Sequence, residues 1–241
     1  MNKTEQNKEK EAADEQVKAK KVARLFSFLR FLEKIIYRPL FPYKRHGYTK
    51  KVNEGSLIII GNHYSMWDVI PAAMATDRPI HFMAKSELFS VPVLGKIMTN
   101  GECIPVNRDG NDVQAVKSAL RYLKRGDVIN IFPEGTRNYS YDSLLPFKGG
   151  AAMLSIRTRT PIMPVVEIER IRLFHRVDVV YGEPIEFTKY YGKRMTPEEV
   201  EQCDNQLREI IFNMRQAFID KHNIKLKPLK SKKKKSKKIE D

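Results

Sequence analysis

Residues 56–75 read SLIIIGNHYSMWDVIPAAMA. Leu57 to Ile60 is an uninterrupted apolar run bounded by Gly55 and Gly61, and it reads as a short buried strand. Val69 to Ala75 follows as a helix. Downstream, PIHFMA, ECIPVN, DVINIF, IMPVVEI and RVDVVYG read as further strands. Helical stretches near Leu88 to Thr99, Val113 to Lys124 and Ala151 to Arg157 separate them. Such alternation predicts an α/β domain with a largely parallel sheet flanked by helices, placed over residues 44–222. Thr196-Pro-Glu-Glu opens a last helix with an N-cap residue and a first-turn proline, and that helix should run to about Lys221. No internal repeat is evident.

Upstream of the domain, Val22 to Arg38 reads VARLFSFLRFLEKIIYR. On a helical wheel Leu25, Phe28, Leu29, Leu32, Ile35 and Ile36 share one face, opposite Arg24, Ser27, Arg30, Lys34 and Arg38, with Phe31 the exception. At ~1.5 Å per residue the segment is too short to span a bilayer, and several charges lie in its middle. The pattern alone suits a core-packing helix equally well. Its aromatic content and basic polar face favour a membrane-interface helix over 22–43, with Phe41 and Tyr43 extending the lipid contact beyond Pro39 and Pro42.

The chain has 241 residues, 44 Lys+Arg against 29 Asp+Glu, and a net charge of +15. With 41% hydrophobic residues it can build a core, and its charged content argues against a polytopic membrane protein. Cys103 and Cys203 are far apart and fit neither a disulfide framework nor a zinc site. The amino terminus lacks the apolar centre of a secretory signal, so a cytoplasmic setting is expected. Residues 1–21 mix acids and bases with almost no large apolar side chains and read as a disordered charged arm. Residues 223–241 hold nine lysines and two acids, a tail suited to solvent, an anionic membrane or nucleic acid.

Two segments after strands carry chemistry. In Gly61-Asn-His63-Tyr-Ser-Met-Trp-Asp68 the histidine and aspartate are five apart. They meet only if His63 lies in the turn and Asp68 in the first helical turn. Paired so, the carboxylate fixes the imidazole tautomer and stabilises the imidazolium, while the second ring nitrogen accepts a proton from a hydroxyl. A capping histidine and a backbone-binding aspartate are the plainer alternative. No G-x-S-x-G elbow occurs, neither cysteine neighbours a base, and Ser65 has no distinctive setting, so direct attack is simpler than a covalent intermediate. In Phe132-Pro-Glu134-Gly135-Thr136-Arg137 the donors and the guanidinium fork suit an anion. Arg108, closing CIPVNR, and Lys85, after PIHFMA, bring further cations to strand ends.

NHYSMWD resembles the N-H-x-x-x-x-D block, and FPEGTR the F-P-E-G-T-R block, of the glycerolipid acyltransferase family. GECIPVNR is similar to the family's intermediate block and TPIMPVV to its fourth; AKSELF and PFKGGAAMLS also fall at matching intervals, over Ser56 to Gly182. Asn138, where serine is common, and Trp67, at a variable position, are the departures. The resemblance implies an O-acyltransferase of phospholipid biosynthesis, an α/β domain preceded by helices that dip into one leaflet. His63 would be the general base and Asp68 its orienting partner. Lys85 and Arg137, with Arg108 a third cation, would hold the acceptor's phosphate; Glu134, Gly135 and Thr136 would shape the acceptor pocket. It further implies lysophosphatidate as acceptor, an acyl thioester on acyl carrier protein or coenzyme A as donor, no metal or other cofactor, and an anionic membrane surface on the cytoplasmic face as partner. Turnover should survive chelation and fall as the imidazole takes up a proton. Glycerol 3-phosphate or another lysophospholipid is an alternative acceptor. A non-catalytic lipid or nucleic-acid binder is the contrasting class; no aromatic-basic pattern favours nucleic acid, and such a binder would have no use for the histidine and aspartate.

Overall fold

The computed structural model describes residues 3–48, 50–107, 112–148 and 150–229. Arg108 and the lysine run Lys232 to Lys235 lie outside the described residues. Seven strands form one sheet: β1 (Tyr43–Gly47), β2 (Leu57–Ile60), β3 (Ile80–Lys85), β4 (Ile104–Val106), β5 (Val128–Ile131), β6 (Ile162–Glu167) and β7 (Val177–Tyr181). Their spatial order is β1-β7-β6-β2-β5-β3-β4. All neighbours are parallel except β6 and β7. Every residue of β2, β5 and β6 is buried. Parallel strands covered by helices on both faces have no polar side, which explains their unbroken apolar sequence. In β7, beyond the antiparallel step, burial alternates with period two instead.

Because side chains alternate across a strand, β2 feeds two cores. Ile58 and Ile60 join Ile129, Ile131 and Ile162 under α5 (Val113–Lys124), α6 (Ala151–Thr158) and α7 (Pro197–His222). Leu57 and Ile59 join Val128, Met163, Val165 and Val179 on the other face. That second face is roofed by α3 (Val69–Ala73) and by the amino-terminal segment, whose Val22, Phe26 and Tyr37 enter the core. The last helix starts as its sequence predicts: Thr196 accepts from the Glu199 N–H and Glu199 returns the bond, a capping box with Pro197 in the first turn.

The amino-terminal segment departs from expectation in three ways. First, α1 (Lys3–Leu32) already begins at Lys3, so residues 3–21 are helical and not a disordered arm. Alternating Glu and Lys favour helix, and Lys18 and Glu15 are tied to the domain through Glu102 (2.8 Å) and Arg125 (3.8 Å). Second, a π-helical turn at Glu33–Tyr37 precedes α2 (Arg38–Leu40), and the inner face of the segment differs from the apolar face of a simple wheel. Glu33 and Tyr37 turn inward, and Arg30, read as solvent-facing, donates to the carbonyls of Ala73 and Thr76 at the end of α3. Phe28, Phe31, Ile35 and Ile36 are exposed together, so Phe31 belongs to the outer apolar face. Third, Tyr43 opens β1 and is buried, its hydroxyl donating to Glu33 at 3.0 Å; it is not a lipid contact. No helix among the described residues is long and apolar enough to cross a membrane.

Candidate active site

Four parallel strands, β6, β2, β5 and β3, end along one edge of the sheet, and the predicted site segments leave from three of these ends. After β2 the chain curls through residues 61–67 so that Asp68, the residue before α3, turns its side chain back into the loop instead of capping the helix. One oxygen, Asp68 Oδ2, accepts from the Tyr64 N–H (2.6 Å) and the Ser65 N–H (2.7 Å), and lies 3.0 Å from His63 Nδ1. The pairing and the backbone contact, posed as alternatives from sequence, are therefore both present. Asp68 is 0% exposed, and fixed dipoles around a dry carboxylate orient the imidazole firmly. Phe132 stacks on the ring at 4.2 Å, leaving its edge open, and Nε2 makes no hydrogen bond among the described residues.

Glu134 ties the loops together from beneath. Its buried carboxylate accepts from the His63 N–H (3.1 Å), the Leu145 N–H (2.8 Å) and Asn138 Nδ2 (3.0 Å). The Asn138 N–H in turn donates to the His63 carbonyl at 2.6 Å. Burial pushes the Glu134 carboxyl upward, opposed by these donors. Glu134 thus acts as a buried staple between the β2 and β5 loops. Gly135 sits at φ 66°, and a Cβ there would come within 2.9 Å of the Lys148 side chain. Thr136 and Arg137 are exposed on the same turn, Arg137 one residue before the contact with His63. Lys85 closes β3 opposite Val106 of β4 and pairs with Glu87.

Several residues of the site had escaped the sequence reading. Asn62 bridges to β6: its side chain donates to the Glu167 carbonyl and accepts the Glu167 N–H, at 2.8 and 3.0 Å. The Glu167 carboxyl is buried, and desolvation with the nearby Asp68 charge drives it well above the usual carboxylate range. Lys148, folded over Gly135, adds an ammonium to the FPEGTR turn. Arg215 of α7 donates to the carbonyls of Ile168 (3.0 Å) and Tyr141 (2.7 Å) and lies over the rings of Tyr64 and Tyr141. Its signal was an arginine continuing the buried Leu207–Ile211 face of α7 at helical spacing.

A histidine oriented by a buried carboxylate, with no nucleophile hydrogen-bonded to its ring among the described residues and cations on the neighbouring loops, is equipped to deprotonate a bound hydroxyl. Fold and site together define an α/β group-transfer enzyme. The chain belongs to the Acyltransferase family, whose model matches residues 43–167, and is an O-acyltransferase. It is 27% identical over 209 residues to the 1-acyl-sn-glycerol-3-phosphate acyltransferase of Streptococcus pneumoniae, covering 83% of this chain and 76% of that one. To the Bacillus subtilis protein of that name it is 26% identical over 166 residues, 65% of this chain and 82% of the other. The crystal structure of the 1-acyl-sn-glycerophosphate (LPA) acyltransferase of Thermotoga maritima shares the fold, with a TM-score of 0.63 at 20% identity over 85% of this chain and 82% of that one.

Proposed function

We propose that the protein transfers an acyl chain from an acyl thioester to the free hydroxyl of 1-acyl-sn-glycerol 3-phosphate, forming phosphatidate in phospholipid biosynthesis. The observation that carries this reading is the 3.0 Å contact between His63 Nδ1 and the buried Asp68 carboxylate, beside the FPEGTR turn. The relatives' names supply the acceptor. As the hydroxyl oxygen attacks the thioester carbonyl carbon, His63 Nε2 takes its proton. The Asp68 carboxylate stabilises the imidazolium. When the tetrahedral intermediate collapses the C–S bond breaks and the leaving thiolate recovers that proton. Arg137, Lys85 and Lys148 hold the acceptor phosphate, with Arg108 a further cation, and Gly135 and Thr136 shape the pocket around it. The donor is the thioester of acyl carrier protein or of coenzyme A. The protein works at the cytoplasmic face of the membrane, and the exposed Phe28, Phe31, Ile35 and Ile36 support contact with lipid.

The test supplies purified protein with lysophosphatidate, glycerol 3-phosphate and other lysophospholipids in turn, with both donors, and weighs the products. Phosphatidate from lysophosphatidate is expected. His63→Ala should lower turnover by about 10²–10⁴-fold while vesicle binding persists. A product only from another acceptor, or turnover indifferent to His63→Ala, overturns the proposal.

A further inference from the structure

The connection from β6 to β7 carries an apolar tip for which the fold has no use. Ile168 and Ile171 anchor the connection in the core, yet Leu173 and Phe174, which follow them, are 54% and 72% exposed. Phe174 also sits at φ 54°, in the left-handed region that aromatic side chains avoid. The tip is nonetheless built. The Phe174 N–H donates to the Leu40 carbonyl at 2.6 Å, and the His175 N–H to the Arg172 carbonyl at 3.2 Å. Glu169 holds both Arg172 (2.7 Å) and His175 (2.9 Å). An exposed, strained aromatic held rigidly costs stability, so its role lies outside the folding of this chain.

Its surroundings indicate the partner. The bond to Leu40 places the tip against the end of the amino-terminal segment, which exposes Ile35 and Ile36 on its last turns. Phe41, next to Leu40, packs at a tilt against Trp67 with ring centroids 4.6 Å apart, and Trp67 and Met66 are exposed on the loop between His63 and Asp68. The apolar surface therefore runs from helix to tip and to the catalytic loop. Arg176, Lys34 and Arg38 are exposed around it, while Arg172 and Glu169 pair with each other. Apolar side chains ringed by cations match an anionic lipid interface, whose acyl region takes the rings and whose phosphates take the guanidinium groups.

We infer that the Leu173–Phe174 tip is a second lipid-inserting element, which with the amino-terminal helix seats the mouth of the active site on an anionic bilayer. The inference deepens the lipid-acceptor reading and rests on it only in taking the substrate to arrive from a membrane. Asn tolerates the left-handed backbone at 174, so Phe174→Asn combined with Leu173→Ser removes the apolar surface without disturbing the turn. Full-length protein and variant are compared by co-sedimentation with phosphatidylcholine vesicles containing phosphatidylglycerol, by thermal unfolding, and by turnover of a short-chain lysophosphatidate in free solution. The variant should bind vesicles about tenfold more weakly or worse, melt no lower than the parent, and turn over the soluble acceptor unchanged. Unchanged vesicle binding overturns the inference, as does turnover lost equally with the soluble acceptor, or a parent dimer that the variant dissociates in the absence of lipid. Vesicle binding is read without catalysis, so a wrong acceptor assignment would leave this result standing and show itself only in the product analysis.

Discussion

His63 and Asp68 illustrate how much a single carboxylate oxygen can organise. Asp68 Oδ2 takes two backbone N–H groups as well as the imidazole contact, so one atom sets both the curl of the loop and the direction of the ring. Asp68→Asn separates these tasks. The amide oxygen can still accept from Tyr64 and Ser65, whereas the anion that stabilises the imidazolium is gone. Turnover is expected to fall about 10²–10⁴-fold with little change in melting temperature. Paired kinetics and calorimetry decide it, and a variant with parental turnover would remove Asp68 from the mechanism. Glu134 does comparable work one layer down, yet its contacts are with the His63 N–H and not its ring, so it holds the base without touching the substrate.

At the scale of elements, α7 contributes more than its apolar face. Arg215 binds the ends of the β5 and β6 loops to the helix and lies over Tyr64, the residue after His63. About three turns upstream, Asp204 accepts from the Ala152 N–H at the start of α6, at 3.4 Å. A helix amino terminus favours a charged carboxylate, but burial outweighs it and pushes Asp204 up to about 6. The folded state then binds this proton more tightly than the unfolded chain. Its contribution to stability is complete below the ordinary carboxylate range near 4 and is lost as pH rises through about 6. Melting temperature should decline across that window. Asp204→Asn should flatten the decline and raise the melting temperature above pH 7, as scanning calorimetry from pH 4 to 8 would record. An unchanged profile would mean that Asp204 is not the group responsible.

Over the whole molecule, the net charge of +15 is concentrated towards the carboxyl terminus, where residues 230–241 hold seven lysines. Each cation near an anionic surface is worth about 1 kcal/mol, screened within a Debye length of ~8 Å at physiological salt. Deleting residues 230–241 should weaken binding to phosphatidylglycerol vesicles at least tenfold at low salt, with the difference vanishing at high salt and soluble-acceptor turnover unaffected. Sedimentation across a salt series checks this. A salt-independent loss would show that the tail acts by something other than charge.

Strand–helix alternation, the bounds of α5 and the opening of α7 were legible in the sequence because period, caps and apolar runs are local properties. The five-residue spacing of His63 and Asp68 was legible as a motif, although spacing alone could not say whether the side chains meet. The edge strand β1, reading YKRHG, was missed because its partner β7 lies more than a hundred residues away and its own pattern is polar. The faces of the amino-terminal helix were misassigned at Arg30 and Phe31 because the inner face is set by what the domain offers, the carbonyls of Ala73 and Thr76 for Arg30, and not by the helix's own apolar count. Sequence by itself determined the central strand–helix alternation and the motif that sets His63 and Asp68 five residues apart. Tertiary structure alone decided which side of each element faces the core, which loops Glu134 and Arg215 join, and where Phe174 is left exposed. Those outcomes depend on contacts between residues far apart in the chain, and no local period encodes them.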